Sequence, residues 1–132
     1  MKYFTIDELT HSDTAVALDI DNTPTRAVAE RLTELVEFVL DPLREAYGKP
    51  IYINSGYRSH RLNIEVGGVR NSQHLSGEAA DITSGTAEGN KWLFNYIRAN
   101  LPFDQLIDER GYSWIHVSFA GYGSNRQQIL HR

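Results

Sequence analysis

Leu32, Leu35, Val36, Val39, Leu40 and Leu43 recur at intervals of three and four, and this run constrains the fold more than any other part of the chain. Such spacing lays an apolar stripe along one helix face, so the segment has to cover a core. The stripe is scaffold rather than a binding groove. Thr23-Pro24 reads as the N-cap and first helical residue. Pro42 falls inside the pattern and predicts a kink or interruption, because proline has no N–H to give the preceding turn. Gly48 and Pro50 end the run.

The rest of the chain supplies shorter elements. Thr5 and Glu8 have the spacing of a capping box, which predicts a short helix. Asp19-Ile20-Asp21-Asn22 starts like a calcium loop but lacks the remaining ligands and the closing glutamate, so it reads as a solvated loop. Ile51–Asn54 is a short strand running into the turn Ser55-Gly56-Tyr57-Arg58-Ser59. A helical turn spans His60–Val66, with Gly67-Gly68 after it. Glu78–Thr83 is small and apolar enough for a buried strand from which Asp81 projects. A helix from Thr86 to Asn100 is expected to bury Trp92, Leu93, Tyr96 and Ile97, and Pro102 breaks it. Asp104–Glu109 and Trp114–Phe119 are two strands whose short link makes them an antiparallel hairpin. On the second strand Ile115, Val117 and Phe119 share the apolar face, while Trp114, His116 and Ser118 share the other. The tail from Gly121 to Arg132 shows no pattern.

The 132 residues form one domain, 1–132, long enough for one proper core. A net charge of −4 argues against a phosphate-tracking surface, so nucleic acid is excluded as a first reading. With no cysteine, disulfides and thiolate chemistry are excluded too. No stretch has the length of a membrane span, and the start has no apolar run. The expectation is synthesis in the cytoplasm without a signal peptide, action on a cell wall only after release, and a monomer.

The chemistry centres on Asn71–Asp81. His74 and Asp81 are separated by a glycine and two alanines, and His116 lies downstream on the polar face of its strand. Two imidazoles and one carboxylate are the ligand set of a catalytic zinc, which keeps a position open. Spacing alone carries this weakly, since such pairs arise by chance. His11, His60 and His131 have no comparable context and read as surface residues.

The pattern Ser72-x-His74-x-x-Gly77-x-Ala79-x-Asp81, with Ser55-Gly56-Tyr57-Arg58 before it and Trp114-x-His116 after it, resembles the zinc peptidases of the D-Ala-D-Ala carboxypeptidase type, family M15. Asp21–Pro24, Leu40–Arg44, Gly67-Gly68 and Phe103–Ile107 resemble a small subgroup of that family. The resemblance covers roughly residues 3 to 120. It implies an α+β fold shared with the Hedgehog signalling domain: a small, mainly antiparallel sheet packed with helices, with a zinc cleft at one side. It implies Zn²⁺ held by His74, Asp81 and His116, and peptidoglycan stem peptides as substrate. Arg58 matches an arginine that holds a substrate carboxylate, a task suited to a planar guanidinium. Ser72 matches a serine near the substrate backbone; its other reading is a loop-capping hydroxyl.

The general base departs from the better-known pattern, which places a glutamate three residues before the last ligand. Ser113 stands there and cannot accept the proton. The candidates are Asp108 and Glu109, and hairpin register decides between them. If Arg110 pairs with Ser113, Glu109 shares the face of His116; a slip of one puts Asp108 opposite His116 instead. The resemblance favours Glu109, and Glu78 is an exposed outsider. The leading function is a zinc peptidase of peptidoglycan peptides, carboxypeptidase or lysin-like endopeptidase. The alternative is a catalytically weak zinc-binding module that recognises a wall peptide or a protein partner.

Overall fold

The structure, a computed structural model, describes residues 1–132. Helices α1 (Ile6–Thr10) and α2 (Asp13–Ala17) open the chain. Thr5 accepts from the Glu8 N–H and Glu8 reaches back to the Thr5 N–H, forming the capping box read from the sequence. Helix α2 has its own cap, Ser12, and was not anticipated.

The leucine stripe begins as α3 (Arg26–Leu35), capped by Thr25 rather than by Thr23. Thr23 instead donates its N–H to Asp21, closing a local turn that holds Pro24 outside the helix. The stripe then passes through a π-helical segment, Val36–Leu40, into α4 (Asp41–Tyr47). Pro42 sits at the start of α4, so the wider turn before it absorbs the missing N–H and the helix continues. Gly48 ends α4 with a left-handed φ of 73°.

Strands β1 (Tyr52–Ser55), β2 (Ala79–Thr83), β3 (Gln105–Glu109), β4 (Trp114–Ser118) and β5 (Gln128–His131) form one five-stranded sheet in the order β1-β2-β4-β3-β5. The first four pair antiparallel; β5 runs parallel to β3. The fold is therefore α+β with a mainly antiparallel sheet. The tail that looked featureless supplies an edge strand.

One sheet face is apolar. Ala80, Ile82, Leu106, Ile115 and Val117 pack there with Leu32, Leu35, Leu40, Leu93, Phe94 and Ile97 in a single core. Helix α6 (Ala87–Asn100) turns Asn90, Leu93, Phe94 and Ile97 to that core. Trp92 is not buried as expected. It lies outside, stacked on Tyr96 and tilted against Tyr47, with ring centroids 5.1 and 5.2 Å away. The i, i+3, i+4, i+7 set includes Phe94 and leaves Trp92 a residue off the stripe. Between β1 and β2 come α5 (His60–Glu65), which packs against α2, and a 3₁₀ turn (Gln73–Ser76), which packs against β2 and brings His74 to the polar face of the sheet. That face carries the site.

Candidate metal centre

β2 and β4 pair so that Asp81 stands directly opposite His116. Directly opposed residues share a face at close range. Here the Asp81 Oδ1 to His116 Nδ1 distance is 2.9 Å. The 3₁₀ turn delivers His74 to the same point, its Nε2 3.4 Å from Asp81 Oδ2. The two imidazoles meet edge to face, with centroids 5.2 Å apart.

The His74 ring is locked from behind. Its Nδ1 donates to the Gly56 carbonyl at 2.7 Å, which turns Nε2 towards Asp81. The Arg58 N–H donates to the His74 carbonyl, and the Ser72 hydroxyl caps the His74 N–H. Gly56 is buried where no side chain fits: a Cβ there would lie 2.9 Å from the Leu9 carbonyl carbon and nearer still to its oxygen. The turn after β1 thus presses on α1 while its carbonyl aims the imidazole.

This donor set fits a small divalent cation. The three candidate ligand atoms lie within 4.8 Å of one another. A tetrahedral ion with bonds of about 2.0–2.1 Å needs ligand separations of about 3.3 Å, near the two Asp81–imidazole spacings of 2.9 and 3.4 Å. Burial pushes the Asp81 carboxyl up, but hydrogen bonds from His116 and His74 outweigh it and hold the group well below the usual carboxylate range. The carboxylate is available as an anionic ligand.

Two clefts meet at this centre. One, about 540 Å³, runs between β1 and the α1–α2 corner; the other, about 470 Å³, runs past Gly68, Ser72, Gln73 and the β3–β4 edge. Arg58 and Asp81 line both. Burial lowers the Arg58 pKa from its ordinary value while the Asp81 charge works against that shift. The hairpin pairs Glu109 with Trp114 and Asp108 with Ile115. Glu109 therefore lies on the face of His116 and lines the second cleft. Asp108 lies on the opposite, apolar face, buried and tied to His131. His131 is mostly exposed, as expected, yet it is not idle. Glu78 is half-buried and bonded to the Ser76 hydroxyl; His11 and His60 are exposed, and His11 lines the first cleft. Ser113 is exposed and donates to the Arg110 carbonyl.

Two contributors escaped the sequence reading. The Gly56 carbonyl carries no residue signature. Gln73 donates through Nε2 to buried Asp104 at 2.9 Å, and Arg126 clamps the same carboxylate at 2.7 Å.

Residues 2–118 match the family Peptidase M15. The chain belongs to that family. It is also similar to the zinc D-Ala-D-Ala carboxypeptidase of Streptomyces albus G, at 48% identity over 48 residues. That match covers 36% of this chain and 19% of the relative, so the relative is far longer than the shared stretch. Membership makes the coarse reading a metallopeptidase of the M15 type.

Proposed function

We propose that the chain is a zinc-dependent peptidase hydrolysing peptidoglycan stem peptides. The convergence of His74 Nε2, Asp81 and His116 Nδ1 where two clefts meet carries this reading. Zinc, when bound, supplies a Lewis acid that stabilises charge developing on a carbonyl oxygen. The chain's own groups do the rest. Glu109, on the cleft face, takes the proton of the attacking water and returns it to the leaving amine. Arg58 receives a substrate carboxylate through paired N–H groups and so fixes the reacting carbonyl in place. Ser72, whose oxygen accepts from the His74 N–H, keeps its O–H free to donate to the substrate backbone.

Clefts on both sides of the ligands let a peptide continue past the cut bond, which supports an endopeptidase over a carboxypeptidase. Ser113, in place of the more familiar glutamate, supports the second reading, a zinc module that binds wall peptides without cutting them. Incubating defined muropeptides with the protein, with and without a chelator, and weighing the products by mass spectrometry separates these readings. Chelator-sensitive cleavage inside the stem is expected. Binding without any cleavage would leave the recognition module.

A further inference from the structure

Three buried side-chain polar atoms have no hydrogen-bond partner: Arg58 Nε, Asn63 Oδ1 and Gln73 Oε1. Two of them belong to residues that line the second cleft, and Asn63 lies against Gly68 in its wall. Arg58 and Gln73 line it directly, and so does Gly68, where a Cβ would fall 2.8 Å from both Arg58 Nη1 and Asn63 Cγ. Buried polar groups are almost always paired, because an unpaired one keeps the full cost of its lost hydration. In the wall of a cleft, such an atom is one with which a bound ligand can pair.

Gln73 can be read furthest, because its amide orientation is fixed. An ionised carboxylate only accepts hydrogen bonds, so the side of Gln73 that faces Asp104 must be the NH₂. Asp104 stays ionised: hydrogen bonds from Arg126 hold its carboxyl below the usual range against the opposing effect of burial. Arg126 binds it through Nε and Nη2 and through its backbone N–H. The Gln73 oxygen, on the other branch of the amide, is left as an acceptor without a donor, one residue before His74. Gln73 is half-buried and lines the second cleft beside His74.

We propose that Gln73 is a specificity-determining residue whose side-chain carbonyl accepts a hydrogen bond from a backbone N–H of the bound peptide, with Asp104 and Arg126 as positioning residues that hold the amide. This rests on the peptidase reading. The ligand class is a peptide with an unsubstituted N–H beside the reacting bond. A tertiary amide, which has no such proton, is discriminated against, because the acceptor is then left unpaired.

The test is a cycle between protein and substrate. Synthetic tetra- and pentapeptide stems, each N-methylated at one backbone nitrogen in turn, are titrated calorimetrically into zinc-loaded Glu109→Gln and Glu109→Gln/Gln73→Met. Cleavage of the unmodified stems by the protein with Glu109 intact is followed in parallel. Methylation at one nitrogen is expected to weaken binding at least about tenfold in the first protein and less than about threefold in the second. Gln73→Leu replaces Gln73→Met if the latter shows no thermal transition. Identical N-methyl profiles in both proteins overturn the inference for Gln73, even if the stems are cut. Stems that bind with the coupling but are never cut overturn the peptidase reading alone. Stems that bind neither protein overturn both.

Discussion

Gly56→Ala should damage the metal centre without touching a ligand. The added methyl would lie 2.9 Å from the Leu9 carbonyl carbon, where ordinary carbon contacts begin near about 3.5 Å, and its overlap with the oxygen is larger. Both atoms are backbone, so the turn and α1 must part by about 1 Å. That shift stretches the His74 Nδ1 to Gly56 carbonyl distance from 2.7 Å beyond hydrogen-bond range. It also strains the bond from the Tyr57 N–H to the Leu9 carbonyl, now 2.7 Å. Overpacking costs about 1–3 kcal/mol and the second bond about 0.5–1.5 kcal/mol. For a chain of this size the metal-free protein should melt about 6–18 °C lower. Loss of the bond that orients His74 should weaken zinc about 10–100-fold, the scale for such supporting groups. Thermal unfolding of the metal-free protein and zinc competition against a fluorescent chelator, at a temperature where both proteins are folded, read the two effects separately. Zinc affinity within about twofold of wild type would refute the claim that the Gly56 carbonyl sets the His74 ring. An unchanged melting temperature would refute the close approach itself.

Three further outcomes are expected. Glu109→Gln should keep zinc and lose at least about a hundredfold in kcat, whereas Asp108→Asn should lower stability and leave kcat within a few-fold; the reverse result would remove Glu109 as the base. Arg58→Lys should cost nearly as much in kcat/KM as Arg58→Ala, because an ammonium cannot form the paired bonds; amidating the C-terminus of the substrate should matter little to an endopeptidase and about 10–100-fold to a carboxypeptidase. Asp104 has a depressed folded pKa, so below about pH 4 the unfolded chain takes up its proton first and stability falls as pH drops towards the folded pKa. Urea unfolding of Asp104→Asn should therefore give lower stability at pH 7 and a shallower acid limb than wild type, and parallel pH profiles would contradict this.

The parts of this molecule that the sequence made legible are those governed by local rules. The Thr5 box, the leucine stripe, Gly48 and the hairpin all follow from spacing over a few residues, and the hairpin's short link was enough to frame the choice between Glu109 and Asp108. The His74–Asp81–His116 set came from residue types together with a family pattern; spacing alone was too weak. The remainder depends on distant backbone contacts. β5 pairs with β3 through main-chain groups that no side-chain pattern announces. Gly56 acts through its carbonyl, and Asp104 joins Gln73 to Arg126 across separate segments. Trp92 misled for a different reason: it groups in the sequence with Leu93, Tyr96 and Ile97, but its position on α6 lies off the buried stripe. Pro42 interrupts an α-helix as expected, yet the π-helical turn before it lets the chain continue without breaking.

The central claim is that His74, Asp81 and His116 form one metal centre. Elemental analysis of purified protein, metal-stripped and then reloaded, tests it most directly. The account predicts about one zinc per wild-type chain and none retained after gel filtration in His74→Ala, Asp81→Ala or His116→Ala, each still folded by circular dichroism. Full zinc occupancy in all three variants, or none in the wild type, would contradict it.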